Sequence, residues 1–384
     1  MTATGPRNAP DAPDATHAVN AVNVVDVVDV VDVVTLGESM VAFQPSRPGR
    51  LADVPSFDRG IGGAESNVAC ALAAAGHTAR WIGRVGADGF GDHLVETIGS
   101  YGVDVSRVRR DPDRPTGVYF RTAGDRSGDA HEVAYYRAGS AASAMSVDTV
   151  GLDAVRAGRV LHLTGITAAL SADCLGLLRE LTAARPGRPL VSFDVNHRPR
   201  LWTDGDGPRI LRELARGADL VFVGEDEAAD VWGLDGPDAV RAAIPEPEVL
   251  VVKQGAHGAT LFHRDRVHGD RVHGDRVHGD RVQEDSVLHV PAPRVDVVAA
   301  VGAGDAFAAG FLSATLRGLP ARDRLRHGHL TAAAALTVPG DLAVPPTRDH
   351  ADRLAALDDT AWGRLRLGPG WTQAPAAPEE VRTP

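Results

Sequence analysis

The chain has 384 residues, 43% of them hydrophobic, 24% charged and 5% aromatic, with a formal net charge of −11 at pH 7. That is enough chain for one large α/β domain or two average ones, and the negative balance excludes general affinity for nucleic acid or an anionic membrane surface, where binding would begin with like-charge repulsion. Cys70 and Cys174 are too few for a disulfide framework, no apolar run reaches the length of a membrane span, and no signal-peptide pattern opens the chain, so it is expected to be cytoplasmic.

Residues 1–32 are rich in Ala, Pro, Asp and Val, and from Val24 the triplet Val-Val-Asp repeats to Val34. A period of three suits neither strand nor helix, so 1–32 is expected to be a disordered leader. Val33-Val34-Thr35-Leu36-Gly37 reads as the first buried strand. Gly62-Gly63-Ala64-Glu65-Ser66-Asn67 then opens an Ala-rich helix that Gly76 stops. The two glycines permit close approach of a polyhydroxylated ligand, and Asn67 can both donate to and accept from hydroxyls; by themselves they are equally what a tight strand-to-helix turn needs. After Trp81-Ile82 comes a glycine-dense loop, and the segments 116–121 and 132–137 alternate in polarity, which predicts a small antiparallel element able to act as a lid.

Repeated strand–helix units follow: strands at 160–165, 190–194, 220–223 and 249–253, helices at 171–184 and 211–218, and an acidic helix start at Glu225-Asp226-Glu227. Short apolar runs alternating with helices predict an α/β fold, a mostly parallel sheet covered on both faces. Between Arg264 and Val282 the pentapeptide Asp-Arg-Val-His-Gly recurs three times. A five-residue period puts His268, His273 and His278 on no common helical face, and no Cys or carboxylate cluster completes a metal shell, so 264–283 is expected to be a solvated insertion in a β-hairpin. The domain is expected to run over 33–358, leaving 359–384 as a flexible tail.

Val301-Gly302-Ala303-Gly304-Asp305-Ala306-Phe307 opens into a helical pattern over 308–316. Paired glycines let backbone N–H groups crowd an anion, the helix N-terminus adds roughly half a positive charge, and Asp305 could take a proton from an attacking hydroxyl. The pattern suits phosphoryl transfer.

Together with Gly62-Gly63 and the 83–91 loop, this motif resembles, in order and separation, the PfkB (ribokinase-like) family of carbohydrate kinases over 33–354. Within it the sequence is most similar to 2-keto-3-deoxygluconate kinases, through Gly37-Glu38-Ser39-Met40, Tyr135-Tyr136-Arg137-Ala138-Gly139 and Asp194-Val195-Asn196-His197-Arg198-Pro199-Arg200-Leu201-Trp202. The resemblance implies a three-layer fold with a β lid from about 38–60 and 115–140, and transfer of the ATP γ-phosphate to the C6 hydroxyl of 2-keto-3-deoxygluconate, with a kinase of a neutral sugar (fructose or ribose) or of another sugar acid, or a non-catalytic sugar- or nucleotide-binding sensor, as alternatives. Asp305 would be the base and Gly302, Ala303 and Gly304 the anion cradle. Gly62, Gly63, Asn67, Tyr119, Tyr135 and Asp341 would line the sugar site, although strand tyrosines also serve as packing and Asp341 could cap a loop. Arg137 and Arg198 are suited to a sugar carboxylate, since a keto-deoxy acid carries one and a neutral sugar does not.

The same resemblance puts Lys253, Gly255 and Gly258 beside ATP, with Gly302 and Gly304, and makes Glu227 an indirect organiser of Mg²⁺. The chain departs from the family pattern twice. Gly224 stands where an Asn-x-x-Glu motif has its asparagine, and Ala299-Ala300-Val301 replaces a triplet that usually begins with a cation-supporting aspartate, which leaves K⁺ dependence open. Assembly as a homo-oligomer, a dimer or higher, is expected because lids of this kind often meet across a dimer.

Overall fold

The computed structural model describes Met1 and residues 29–47, 49–122, 132–202, 205–264 and 285–373. Six parallel strands form its centre, lying side by side in the order Ala79–Ile82, Val31–Leu36, Gly158–Thr164, Leu190–Asp194, Leu220–Gly224 and Val249–Lys253. The antiparallel strands Ala259–Arg264 and Asp285–Val290 extend the far edge. Side chains alternate between two cores: Leu220 and Phe222 face one, Val221 and Val223 the other. The first core lies under the helices Ala64–Ala74, Ala303–Leu316 and Ala321–Leu336, the second under Ala172–Thr182 and Gly207–Gly217. Burial on both faces explains why Val, Leu and Phe dominate these strands, with Thr35, His162 and Ser192 enclosed among them.

A smaller sheet holds Phe57–Gly62, Met40–Pro45, Val118–Arg121 and Val133–Tyr136, in that order. Its outer pairs are antiparallel, as expected for 116–121 with 132–137, while the middle pair, Met40–Pro45 with Val118–Arg121, is parallel, a partnership the sequence did not indicate. A parallel pair needs a long crossover, and here the chain passes through the main sheet between the two strands.

Element ends also differ from expectation. The first strand starts at Val31, inside the span read as leader, because Asp32 is tied by the Thr78 backbone and hydroxyl. The helix expected from 308 begins at Ala303, and the one expected from 211 begins at Gly207. The tail expected from 359 is folded through 373: Trp362 in the helix Asp359–Arg364 is only 1% exposed and donates to the Pro291 carbonyl at 2.8 Å, and Arg366–Leu367 pairs with Arg294–Val295. Elements this short carry too few residues to show a period. Leader residues 2–28, the His-containing pentapeptides and 374–384 lie outside the described residues.

Candidate active site

The helix Ala303–Leu316 begins on Gly302, whose φ of 76 lies in the left-handed region; a Cβ there would stand 2.4 Å from the Asp341 carbonyl oxygen, so only glycine fits. The first helical bond runs from the Ala306 N–H to the Gly302 carbonyl at 2.9 Å. The N–H groups of Ala303, Gly304 and Asp305 therefore have no intrahelical acceptor and present the positive end of the helix dipole. Gly304 is exposed, and the Lys253 ammonium lies 3.6 Å from the place its Cβ would take. This is an anion cradle with a cation at its rim.

Asp305 sits in the first turn, where its Oδ2 accepts from Asn67 Nδ2 at 2.9 Å. Asn67 is 5% exposed, and its Oδ1 is buried with no hydrogen-bond partner among the described residues. Burial pushes Asp305 up to about 7, with the Asn67 bond pulling it down, the nearby Asp194 charge raising it, and Arg198 and Lys253 lowering it. A carboxylate poised there can both lose and take a proton near neutral pH.

Lys253 Nζ donates to Asp194 Oδ2 at 2.8 Å, at the carboxyl ends of adjacent parts of the parallel sheet. Burial alone would push Lys253 down, but Asp194, Glu227 and Asp305 around it hold its pKa above the ordinary lysine value. The remaining oxygen of Asp194, Oδ1, is buried and has no hydrogen-bond partner among the described residues. Glu227 accepts the His197 N–H with one oxygen and the Gly224 N–H at 3.1 Å with the other, and burial followed by the Asp194 charge raises its pKa. Glu227 thereby clamps the turn after the strand Leu190–Asp194. In that turn Asn196 holds φ 41, which Asn tolerates better than most residues, and Arg198 follows. Arg198 is exposed, and among the described residues its hydrogen bond goes to the carbonyl of His197 at 3.0 Å.

On the other side of the cleft, Tyr119 OH donates to Asp341 Oδ2 at 2.9 Å, and Arg121 Nη2 lies 2.8 Å from Asp341 Oδ1. Gly62 abuts this pair: a Cβ on it would fall 2.1 Å from the Tyr119 hydroxyl and 2.8 Å from Asp341 Oδ2. Arg137 pairs with buried Glu38, which also accepts from Ser140 Oγ at 2.6 Å, while Arg137 Nε is buried without a hydrogen-bond partner among the described residues. Glu38 thus already compensates Arg137, whereas Arg198 is paired with no carboxylate among the described residues. Tyr135 is 44% exposed, its ring 5.6 Å from that of Tyr119. Glu65 is fully buried, accepts from Thr164 at 2.8 Å and Thr167 at 2.7 Å, and is pushed by burial up to about 7.

The structure therefore gathers Gly62, Asn67, Tyr119, Arg121, Asp194, Glu227, Lys253, Gly302, Gly304, Asp305 and Asp341 through direct contacts or charge, with Arg137, Arg198 and Tyr135 around them. Gly63 packs on the Glu38 carbonyl, 2.5 Å from where its Cβ would be, so it serves close backbone packing. Gly258 lies under the Val290 carbonyl, and Gly255 is exposed with open space around it; no contact ties either to Asp305. Asp194, Glu38 and Arg121 were not singled out in the sequence as site residues. Asp194 had a signal, its place at the carboxyl end of a parallel strand where ligands of open α/β sheets bind. Among the described residues no group of three or more His, Cys, Asp or Glu could hold a metal ion by itself. The donors present suit an ion held chiefly by phosphate oxygens and one or two carboxylates.

A parallel α/β sheet with an anion cradle and a desolvated carboxylate at its carboxyl edge defines a phosphoryl-transferring enzyme of the ribokinase-like class. The chain belongs to the pfkB family of carbohydrate kinases, whose family model matches residues 16–348. It is an ATP-dependent carbohydrate kinase. It is 35% identical over 321 residues to the 2-dehydro-3-deoxygluconokinase of Bacillus subtilis (strain 168), covering 82% of this chain and 92% of that one. It is 32% identical over 337 residues to the 2-dehydro-3-deoxygalactonokinase of Haloferax volcanii, covering 86% and 98%. The crystal structure of a PfkB protein from Polaromonas sp. JS666 superimposes with a TM-score of 0.70 at 32% identity, covering 84% and 99%.

Proposed function

We propose that this kinase transfers the γ-phosphate of ATP to the C6 hydroxyl of 2-keto-3-deoxygluconate. The observation that carries the choice of an acidic sugar is Arg198, exposed at the cleft, close enough to act on Asp305, and paired with no carboxylate among the described residues. The similarity to the two sugar-acid kinases above supports the same choice. Asp305 accepts the C6 hydroxyl proton as that oxygen bonds to the γ-phosphorus and the bond to ADP breaks. The N–H groups of Ala303, Gly304 and Asp305 stabilise the charge on the phosphoryl oxygens, and Lys253 adds a cation from the Asp194 side. Mg²⁺, when bound, neutralises the phosphates; Glu227, with both oxygens occupied by backbone N–H groups, acts on it only indirectly. Tyr119, Tyr135, Asn67, Gly62 and Asp341 face the sugar, and the smaller sheet serves as the lid that keeps water out. Gly255 and Gly258 allow the nucleotide to approach the turn after the strand Val249–Lys253.

One observation favours a second reading, a neutral-sugar kinase: Glu38 already compensates Arg137. Turnover with ATP and Mg²⁺ on 2-keto-3-deoxygluconate, 2-keto-3-deoxygalactonate, fructose and ribose decides between them. Faster phosphorylation of fructose than of either keto acid would overturn the sugar-acid assignment. Adding K⁺ in the same assay tests the Ala299 position, where the Val298 and Ala299 N–H groups both turn to the Leu336 carbonyl; a weak K⁺ response is proposed.

A homo-oligomer is proposed to form through the smaller sheet. Phe43, Phe57, Phe120 and Tyr136 make a chain of ring contacts on it, 4.8 to 5.9 Å between centroids, and Tyr136 is 66% exposed. No helix among the described residues is long and apolar enough to cross a membrane, and work in the cytoplasm is proposed.

A further inference from the structure

Arg121 is a buried cation that the phosphoryl-transfer scheme leaves unused. It and Tyr119 stand two residues apart on the strand Val118–Arg121, so both side chains leave the same face of the smaller sheet. Both end on one carboxylate, Asp341, whose two oxygens are shared between Arg121 at 2.8 Å and Tyr119 at 2.9 Å. The side chains of Arg121 and Asp341 are each 7% exposed. The backbone of Asp341 in turn lies against the catalytic turn, its carbonyl filling the space that a Gly302 side chain would need. One residue therefore touches the covering sheet with its side chain and the anion cradle with its main chain.

We propose that Arg121 is a positioning residue for phosphoryl transfer: by holding Asp341 it seats the 302–305 cradle against the covering sheet, so that the cradle is in place only when the cleft is closed to water. This rests on the sugar-kinase reading above. Arg121 itself does not touch the sugar. Tyr119 alone cannot replace it, because a buried carboxylate left with one neutral partner is an uncompensated charge, and the cheapest relief is for Asp341 to swing toward solvent. Its carbonyl would then leave Gly302, and the helix N-terminus would lose its support from that side.

The test compares wild type, Arg121→Met, Arg121→Lys and Arg121→Met/Asp341→Asn. Two readouts are used, each independent of the other. In the first, ADP released and sugar acid phosphorylated are measured together. Arg121→Met is expected to lower kcat by about 10- to 100-fold, raise the sugar KM by a smaller factor because Asp341 also faces the sugar, and raise ADP released per phosphorylated sugar several-fold as water becomes an acceptor. Arg121→Lys, which keeps the charge, is expected to retain most of the wild-type ratio. A ratio that stays at the wild-type value in Arg121→Met would overturn the proposal, as would a rise in sugar KM with kcat unchanged, which would mark Arg121 as a direct sugar ligand.

In the second readout, backbone hydrogen exchange is followed in the ligand-free protein. Arg121→Met is expected to speed exchange in 118–121 and in 302–306 together, and the double variant to restore part of the protection by removing the stranded charge. Faster exchange confined to 118–121 would mean that Arg121 only braces its own sheet. Failure of wild type to phosphorylate any sugar would instead overturn the kinase substrate reading, and the exchange result would still decide the coupling.

Discussion

Asn67 and Asp305, 238 residues apart in the chain, meet in a single hydrogen bond of 2.9 Å from the amide nitrogen to the carboxylate. The bond joins the helix opened by Gly62-Gly63 to the one opened by Gly302. It also sets the proton affinity of the base: burial drives Asp305 up, and the Asn67 amide is the leading group that restrains it.

Asp305→Asn should lower kcat by about 10²- to 10⁴-fold with ATP affinity nearly unchanged, since general-base catalysis is worth that much. Steady-state kinetics together with nucleotide binding by calorimetry check it, and near-normal turnover would remove Asp305 from the base role.

The same substitution has a stability signature. Asp305 titrates at its ordinary 3.8 in the unfolded chain and at about 7 in the fold, so the folded state holds the proton more tightly. Its favourable contribution is complete below 3.8 and is lost as pH rises through about 7. Asp305→Asn is therefore expected to be more stable than wild type at pH 8 by about 1–3 kcal/mol, with the difference shrinking toward pH 4. Urea unfolding at the two pH values measures it; a gap that grows at low pH would contradict the assignment.

Because the base must be ionised to act, kcat/KM should rise with pH through an apparent pKa near 7 and then level. In Asn67→Ala the rise should move to higher pH by about one pH unit, and kcat should fall about 10-fold, because the amide no longer stabilises the ionised form. A profile identical to that of wild type would show that the bond has no part in tuning the base.

Arg198→Ala should raise KM for the keto acid by about 10- to 100-fold, the loss of one charge-assisted hydrogen-bonded pair, and leave fructose kinetics within about twofold. Equal damage to both substrates would mean that Arg198 shapes the cleft instead of meeting a carboxylate.

Trp362→Ala should destabilise the fold by about 3–5 kcal/mol, because the side chain is fully enclosed and its ring faces Arg326 at 4.7 Å. Truncation after residue 358 should do at least as much harm in a thermal melt. An unchanged Tm would return this segment to the status of a tail.

Much of the architecture was legible in the residues themselves. Runs such as 190–194 and 249–253 match the observed strands end for end, because a strand enclosed on both faces is mostly apolar and carries its charged residue, Asp194 or Lys253, at the carboxyl end. The smaller sheet was harder. Its parallel middle pair joins segments more than seventy residues apart, as in Val41 with Val118, and no local period records such a partnership. Arg137 shows the same limit in the site: its charge suggested a carboxylate from outside, whereas the fold supplies one from Glu38.

What the sequence by itself determined was the set of local geometries and the chemical groups they carry. Two glycines and an acid at the head of a helical pattern are properties of consecutive residues, and so are the apolar runs that build the main sheet. The tertiary structure alone decided how those groups are charged and held. Asp305 rises to about 7 because distant segments wrap it and remove water, Lys253 stays charged because Asp194 arrives from a strand two places away in the sheet, and Asp341 is oriented by Arg121 from another sheet. Desolvation and pairing energies depend on what surrounds a group in space, and those surroundings do not exist until the chain has folded.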